Sequence, residues 1–415
     1  MDVNKIKSND LIIKILLFIS IFAIIIMRRP DIITHAQPWA EDGTIWLQDI
    51  YNNGLFDSII RPQNGYYQTI AKLIYSISLI FGVENAPLVA NILSTLIRVF
   101  FVFFVISKRF SYIDIKFRAA FICYFLLMPN ISEGYVNATN AQWYLAIYMI
   151  AYLIAEKPVS KSWKIHDFIL IVISSLSGPF VVFLSLPYLI KRINENGGII
   201  NTFKSINAND LAFSVCFIIQ FAAILYSQSE TRSAAPLGAG LLLFCDIFYY
   251  KLIAGLLSDN TQVIGSKSVL HVFVTAIYFV VIAFLAFKKS WRYSVVLLSI
   301  LLIIGFGLAK PMMSLDKPQW DFFLLPVGDR YFLIPQLGVF CAFLALISIT
   351  GVIKDITLFA FTALCLIFCI KSFSIPELPN VNYREQAEQF NQIDSGEKFV
   401  INSFPPGWTV TLIKK

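Results

Sequence analysis

The chain has 415 residues, of which 57% are hydrophobic and 14% charged, with a formal net charge of +7. A soluble domain carries about 25% charged residues, so a soluble globular protein is excluded and a polytopic membrane protein is indicated. The positive charge is no nucleic-acid footprint, because the basic residues are scattered through short loops without a stripe or interleaved aromatics; a surplus of Lys and Arg on the inner side of a membrane accounts for them.

The apolar residues come in long blocks. Lipid offers no partners to free backbone N–H and C=O groups, so the blocks read as helices. The basic tail 1–10 places the N-terminus inside, and 11–27 is the first span. "RRPD" follows it where a signal peptide would show a small-residue cleavage site, which predicts a retained helix. Residues 28–65 then lie outside. The block 66–82 is read as a surface-lying or partly inserted helix, because counting it as a crossing would turn the basic cluster 107–118 outward. Crossings at 87–106, 118–129 and 142–155 follow, with an outer loop "NISEGYVNATNAQ" between the last two.

The block 167–190 is broken by "LSGPF". Gly178-Pro179 cannot continue a helix, and both flanks are basic, so a re-entrant hairpin or two short helices is expected. A span at 210–226 exits, an amphipathic outer piece runs to about 267, and spans 268–287, 293–309, 332–350 and 356–372 complete the set. The expected architecture is an all-α membrane domain over 1–372 with about nine crossings and one re-entrant element, followed by a small outer appendage at 373–415. On this topology about 18 of the 26 Asp and Glu residues are external. The inside rule concerns Lys and Arg and binds acids only weakly, so the surplus calls for another reason, and chemistry on the outer face is one.

Four outer segments carry candidates. The first is "PWAEDGTIWLQDIYNNG", with adjacent acids Glu41 and Asp42. As a helix, 42–53 gathers Trp46, Leu47, Ile50 and Tyr51 on one side, which predicts an interfacial helix on the bilayer. One acid suffices to cap a helix N-terminus; two leave one free for acid/base work, and spacing does not say which. The second is 310–335, ending in "GDRYF". Arg330 either anchors the helix or holds an anion with its fork of donors, Asp329 is placed to orient it, and Lys310 and Lys317 add charge. The third is the C-terminal segment, a polar helix, a strand-like "FVI", a Pro-Pro-Gly turn and terminal Lys414-Lys415, placed to cover a site. The fourth, 240–258, carries Asp246, Tyr249, Tyr250 and Lys251, read as interfacial packing or as an aromatic floor for a sugar. The aromatic candidates for sugar and acceptor are Trp39, Trp46, Tyr66, Tyr331 and Trp408.

Cofactors are not expected. There is no phosphate-cradling Gly-rich loop. His35, His166 and His271 are scattered, and the six cysteines show no paired ligand spacing, which gives no sign of a metal site or a disulfide framework.

Taken together, "WAEDG", "SGPF" in a broken span, "GDRYF" at a helix mouth and "PPGW" near the end resemble the bacterial polytopic glycosyltransferases of the GT-C fold. Size and layout look like the phage-type, serotype-converting O-antigen glucosyltransferases. The resemblance implies an inner-membrane enzyme with its C-terminus in the periplasm. Its donor would be a polyprenyl-phosphate sugar and its acceptor a hydroxyl of lipid-linked O-antigen, with a donor synthase and a flippase as partners. It also implies a first-loop carboxylate as base, here Glu41 or Asp42, and cations at the donor phosphate, Arg330 first and Lys310, Lys317 and Lys414 after it. Two other classes compete. A transporter predicts internal repeats and mid-membrane charges, of which only Lys14, Lys72 and Arg98 are clear. An O-antigen polymerase predicts arginine-rich outer loops, whereas acids lead here.

Overall fold

The computed structural model describes residues 3–226, 233, 235–258, 269–314 and 316–415, with residues 3–10 as backbone alone. The expected outer stretches at 227–232 and 259–267 fall outside the described residues. The described chain is about 70% helical, and its regular structure otherwise is one two-stranded antiparallel sheet near its end.

The principal helices are α1 (Val3–Arg28), α2 (Thr69–Ser78), α3 (Ala86–Ile106), α4 (Ile115–Leu127), α5 (Ala141–Ile154), α6 (Lys161–Ser175), α7 (Ser185–Asn196), α8 (Ala208–Tyr226), α9 (Val269–Lys288), α10 (Trp291–Ala309), α11 (Leu333–Ile347), α12 (Lys354–Lys371) and α13 (Tyr383–Gln392). The strands are β1 (Lys398–Ser403) and β2 (Trp408–Ile413). Among the described residues six helical segments are long and apolar enough to cross a membrane: Leu11–Arg28, Ala86–Ile106, Ala208–Tyr226, Val269–Lys288, Trp291–Ala309 and Gly351–Lys371. This is a multi-pass membrane protein. α5 and α11 are shorter and apolar on every side, and most of their residues are buried, as expected of helices surrounded by protein.

Two arginines at the end of α1 fix which helix ends meet. The Arg28 guanidinium donates to Leu126 O (2.8 Å) and Met128 O (3.1 Å) at the end of α4, and to Ser372 O (3.3 Å) and Phe373 O (3.0 Å) at the end of α12. Each helix leaves its last carbonyls without intrahelical donors, so one buried cation satisfies two termini. Arg29 donates to Ser132 O and Pro376 O in the loops beyond α4 and α12. The segments after α1, α4 and α12 therefore share one end of the bundle.

The opposite end is tied by its own ion pairs. Arg109 makes a bidentate pair with buried Asp167, both distances 3.0 Å, and Arg192 grips Asp210 at 2.7 and 2.9 Å. Lys116 reaches Asp355, and Arg292 donates to Ile154 O. These contacts bring the loops following α3, α5, α9 and α11 together.

The broken block is a hairpin of α6 and α7 with Phe180–Phe183 between them. Its turn contains Gly178 at φ +96°, a conformation that favours glycine. The turn is pinned to the segment before α2: Gly178 N donates to Tyr67 O (2.9 Å) and Thr69 N to Leu176 O (3.0 Å). Gln220 of α8 closes it by bonding Tyr67 and Gly178.

A second hydrophobic core lies apart from the main one. It joins Trp46, Leu47 and Ile50 to Ile74 and Tyr75 of α2, Tyr383 and Phe390 of α13, and Ile401, Val410 and Leu412 of the hairpin. This corrects the expectation of an interfacial helix. The apolar side of 42–53 faces the C-terminal segment and α2, not lipid.

Candidate functional site

The acid pair opens a π-helical turn, Asp42–Leu47, continued by an α-helical stretch, Gln48–Asn53. Such wide turns recur at functional sites. The residue before the pair, Ala40, sits at φ +46°, and Val136 in the facing loop sits at φ +50°. A β-branched residue in that region is an outlier, and each such position costs about 1–3 kcal/mol. Strain on both sides of one small volume implies that surrounding contacts hold these loops in place.

Glu41 and Asp42 have different surroundings. Asp42 is buried. Its Oδ2 accepts from Ala138 N (3.1 Å), and its Oδ1 accepts from Thr139 N (2.8 Å) and Thr139 Oγ1 (2.6 Å). Ala138 and Thr139 lead into α5, so Asp42 caps the approach to that helix from another part of the chain. Trp46 Nε1 donates to Thr139 Oγ1 (2.9 Å), and Tyr75 lies against the carboxyl group. Burial pushes the Asp42 carboxyl up to about 7, opposed by the bonds from Thr139 and Ala138 and aided by the charge of Glu41.

Glu41 is half-buried and differently placed. Its Oε2 is buried yet has no hydrogen-bond partner. Buried polar atoms are rarely left in this state, and an unpaired carboxylate oxygen retains the capacity to accept from a hydroxyl. Its charge acts on Arg330. Burial alone would lower the Arg330 guanidinium pKa; Glu133, Tyr331 and Glu41 outweigh it and hold it above the ordinary arginine value.

Arg330 follows Gly328, which takes φ +70°, and lies just before α11. Its NH1 is paired with Glu133 Oε1, and NH2 reaches Met312 O at 3.4 Å. The expectation that Asp329 orients Arg330 is corrected here. Asp329 is buried and binds Lys251 Nζ at 2.8 Å, and Lys251 also donates to Leu325 O. Burial raises the Asp329 carboxyl pKa, with Lys251 opposing.

The other candidates divide. Tyr331 is half-buried, accepts from Met312 N at 3.0 Å, and meets Trp143 edge-on at 5.7 Å. Trp39 pairs its backbone with Phe404 at the turn of the β-hairpin. Trp408 lies at the same end of the hairpin and is 36% exposed. Lys310 and Lys317 are exposed on the loop that reaches Arg330 through Met312. Tyr66 is half-buried in a turn beside Tyr67.

The structure sets two candidates apart. Trp46 is buried with its N–H on Thr139, so it is a packing and relay residue and offers no face to a sugar. Lys414 sits at the far end of β2 and donates to Asn391 O. Six residues of strand, about 20 Å, separate it from Trp408 and the acid pair. In the fourth segment, Asp246 Oδ1 is 2.7 Å from His271 Nδ1, and Tyr249 stacks on that imidazole at 4.2 Å. The contacts of Tyr249 are those of packing.

Gly43 shows why a glycine follows the acids. A Cβ there would lie 2.6 Å from Val410 Cγ2, and 3.0 Å from Pro38 Cβ and Ser403 Oγ. Val410 and Ser403 belong to the hairpin, which therefore presses directly on the acid turn. Thr44 Oγ1 donates to Thr409 O, and Gln48 and Asn52 bond β2 further along.

Reading the sequence missed Glu133, Thr139 and Tyr75, and it did not anticipate that Lys251 pairs with Asp329. Glu133 is the lone acid of "NISEGYVNATNAQ", and that outer-loop position was the signal available. No family model, curated protein or solved structure matches this chain.

Proposed function

We propose that the protein is a GT-C-type glycosyltransferase with about nine crossings, acting at the outer surface of a bacterial inner membrane. It moves a hexose, glucose by the sequence resemblance, from a polyprenyl-phosphate donor to a hydroxyl of lipid-linked O-antigen. The observation that supports this reading is that Glu41, with an unpartnered buried oxygen, lies close enough for its charge to act on Arg330, which is itself held by Glu133.

Glu41 is the base in this proposal. Geometry takes precedence over pKa in choosing a base, and Asp42 has both oxygens engaged by backbone and hydroxyl donors. Glu41 takes the proton of the acceptor hydroxyl as its oxygen bonds to the anomeric carbon. The bond from that carbon to the donor phosphate oxygen breaks, and the electron pair leaves on the lipid phosphate. Arg330 stabilises the growing charge, with Lys310 and Lys317 near the same loop. Asp42 fixes the turn that aims Glu41, and the C-terminal hairpin backs it.

The test is sugar transfer by the full-length protein in vesicles holding a polyprenyl-phosphate hexose and a lipid-linked saccharide. Glu41→Gln is expected to lose at least about 100-fold in rate, the lower range for a positioned general base. Full transfer by Glu41→Gln overturns the assignment. Lengthening of the acceptor by whole repeat units, without a side branch, favours a polymerase. Movement of lipid-linked sugar across the vesicle without transfer favours a transporter.

A further inference from the structure

A cleft of about 490 Å³ has its charged mouth at the end of the bundle remote from Glu41 and Arg330. α3, α4 and α5 form one side, and α10 and α11 the other. Along α11 it runs from Ile334 to Ser348, about 21 Å at 1.5 Å per residue. Tyr293, Val296 and Ala345 on its walls are only half-buried. Protein interiors are close-packed, so an apolar volume this large within the hydrocarbon zone requires an occupant. One leaflet of a bilayer offers about 15 Å of acyl chain, half of the ~30 Å core, so a chain entering at the mouth occupies roughly the nearer two thirds of the cleft.

The mouth of the cleft has a definite charge. Arg118, Lys289, Arg292 and Lys354 line it, against the single carboxylate Asp114. Among the described residues none of these four cations is ion-paired. Asp114 is occupied with Lys116 N. Arg118 NH1 caps the end of α3 through Ile106 O (2.9 Å), and its Nε is buried with no acceptor. Arg292 is held over the Tyr112 ring at 4.2 Å while its Nε bonds Ile154 O. Four cations against one carboxylate at the rim of an apolar slot, with Lys289 also donating to Ser348 Oγ, match a phosphate headgroup above an acyl chain. Basic pockets between helices on the inner side of a membrane recognise anionic lipids in this way.

We propose that this cleft is a binding site for an anionic diacyl phospholipid of the inner leaflet, one acyl chain lying along α11 and its phosphate among Arg118, Lys289, Arg292 and Lys354. Its charged mouth lies at the opposite end of the bundle from the proposed transfer site, and the lipid site does not require that the protein transfers a sugar.

The test is native mass spectrometry of the full-length protein purified in detergent and supplied with phosphatidylglycerol, phosphatidylethanolamine or polyprenyl phosphate. The wild type is expected to retain phosphatidylglycerol over phosphatidylethanolamine. Combining Lys289→Gln, Arg292→Gln and Lys354→Gln should weaken that retention by about a hundredfold, at roughly one tenfold step or less per charge. Ala345→Phe fills the slot, leaves the charges in place, and should reduce retention of both phospholipids. Equal retention of the two phospholipids by the wild type overturns the proposal. So does unchanged retention by either variant, or displacement of phosphatidylglycerol by an equal concentration of polyprenyl phosphate. If the triple variant fails to fold, the wild-type comparison and Ala345→Phe decide.

Discussion

Arg330 is paired with Glu133, almost 200 residues away in the chain, while its neighbour Asp329 is bound to Lys251. Two cations and two acids are thus sorted into separate pairs within one loop cluster. The Lys251–Asp329 pair is buried and anchors the mouth of α11. The Arg330–Glu133 pair is partly open, with side chains 24% and 19% exposed. An open pair can exchange Glu133 for a phosphate oxygen; a buried one cannot do so without a large desolvation cost.

Glu133→Gln should therefore change donor use more than folding. Without its carboxylate Arg330 loses its fixed position, and the apparent KM for the polyprenyl-phosphate sugar should rise several-fold with a smaller change for the acceptor. Arg330→Lys should act in the same direction and more strongly, because an ammonium cannot reproduce the planar fork. Steady-state kinetics with each substrate varied in turn checks both. Equal losses for donor and acceptor would remove the phosphate role.

Asp42 predicts a pH effect on stability. Its folded-state pKa is raised, from the ordinary carboxyl value near 4 to about 7, chiefly by burial. A raised pKa means that the folded state binds the proton more tightly than the unfolded chain. The contribution of this group is fully present below about pH 4 and is lost as pH rises toward 7. Asp42→Asn should flatten the pH dependence of thermal stability across that window. Below about pH 4 it should lower stability by about 1–3 kcal/mol, because a buried backbone donor loses its acceptor, and that deficit should shrink as pH rises toward 7. Thermal unfolding in detergent at a series of pH values measures both effects.

Gly43 couples the acid turn to the hairpin. Gly43→Ala forces Val410 and Ser403 outward, and overpacking of this kind costs about 1–3 kcal/mol. Val410→Ala should restore part of that loss in the double variant, because Val410 Cγ2 is the nearest atom. A double-mutant cycle on unfolding free energy gives the coupling, and strict additivity would show that the hairpin does not press on the turn.

Thr139 is the relay between Trp46 and Asp42. Thr139→Val keeps the shape and removes the hydroxyl. It should destabilise the protein by about 1–3 kcal/mol, since the Trp46 N–H loses its buried partner. Transfer activity should fall much less than in Glu41→Gln, because the hydroxyl never touches the reacting groups. A loss equal to that of Glu41→Gln would place Thr139 in the chemistry itself.

The amino-acid pattern by itself determined the membrane class, the position of most apolar helices and the break at Gly178, because hydropathy and helix-breaking residues act locally. It also marked the β-hairpin turn at Pro405-Pro406-Gly407 and the acid pair at 41 and 42. Tertiary structure decided the partners. That Asp42 caps α5 while Glu41 keeps a free oxygen depends on Ala138 and Thr139, and that Glu133 rather than Asp329 holds Arg330 depends on how two distant loops meet. Trp46 illustrates the limit most clearly: its helical face is apolar whether it meets lipid or protein, and only the folded C-terminal segment settles which. Periodicity reports that a face must be covered; long-range packing alone specifies what covers it.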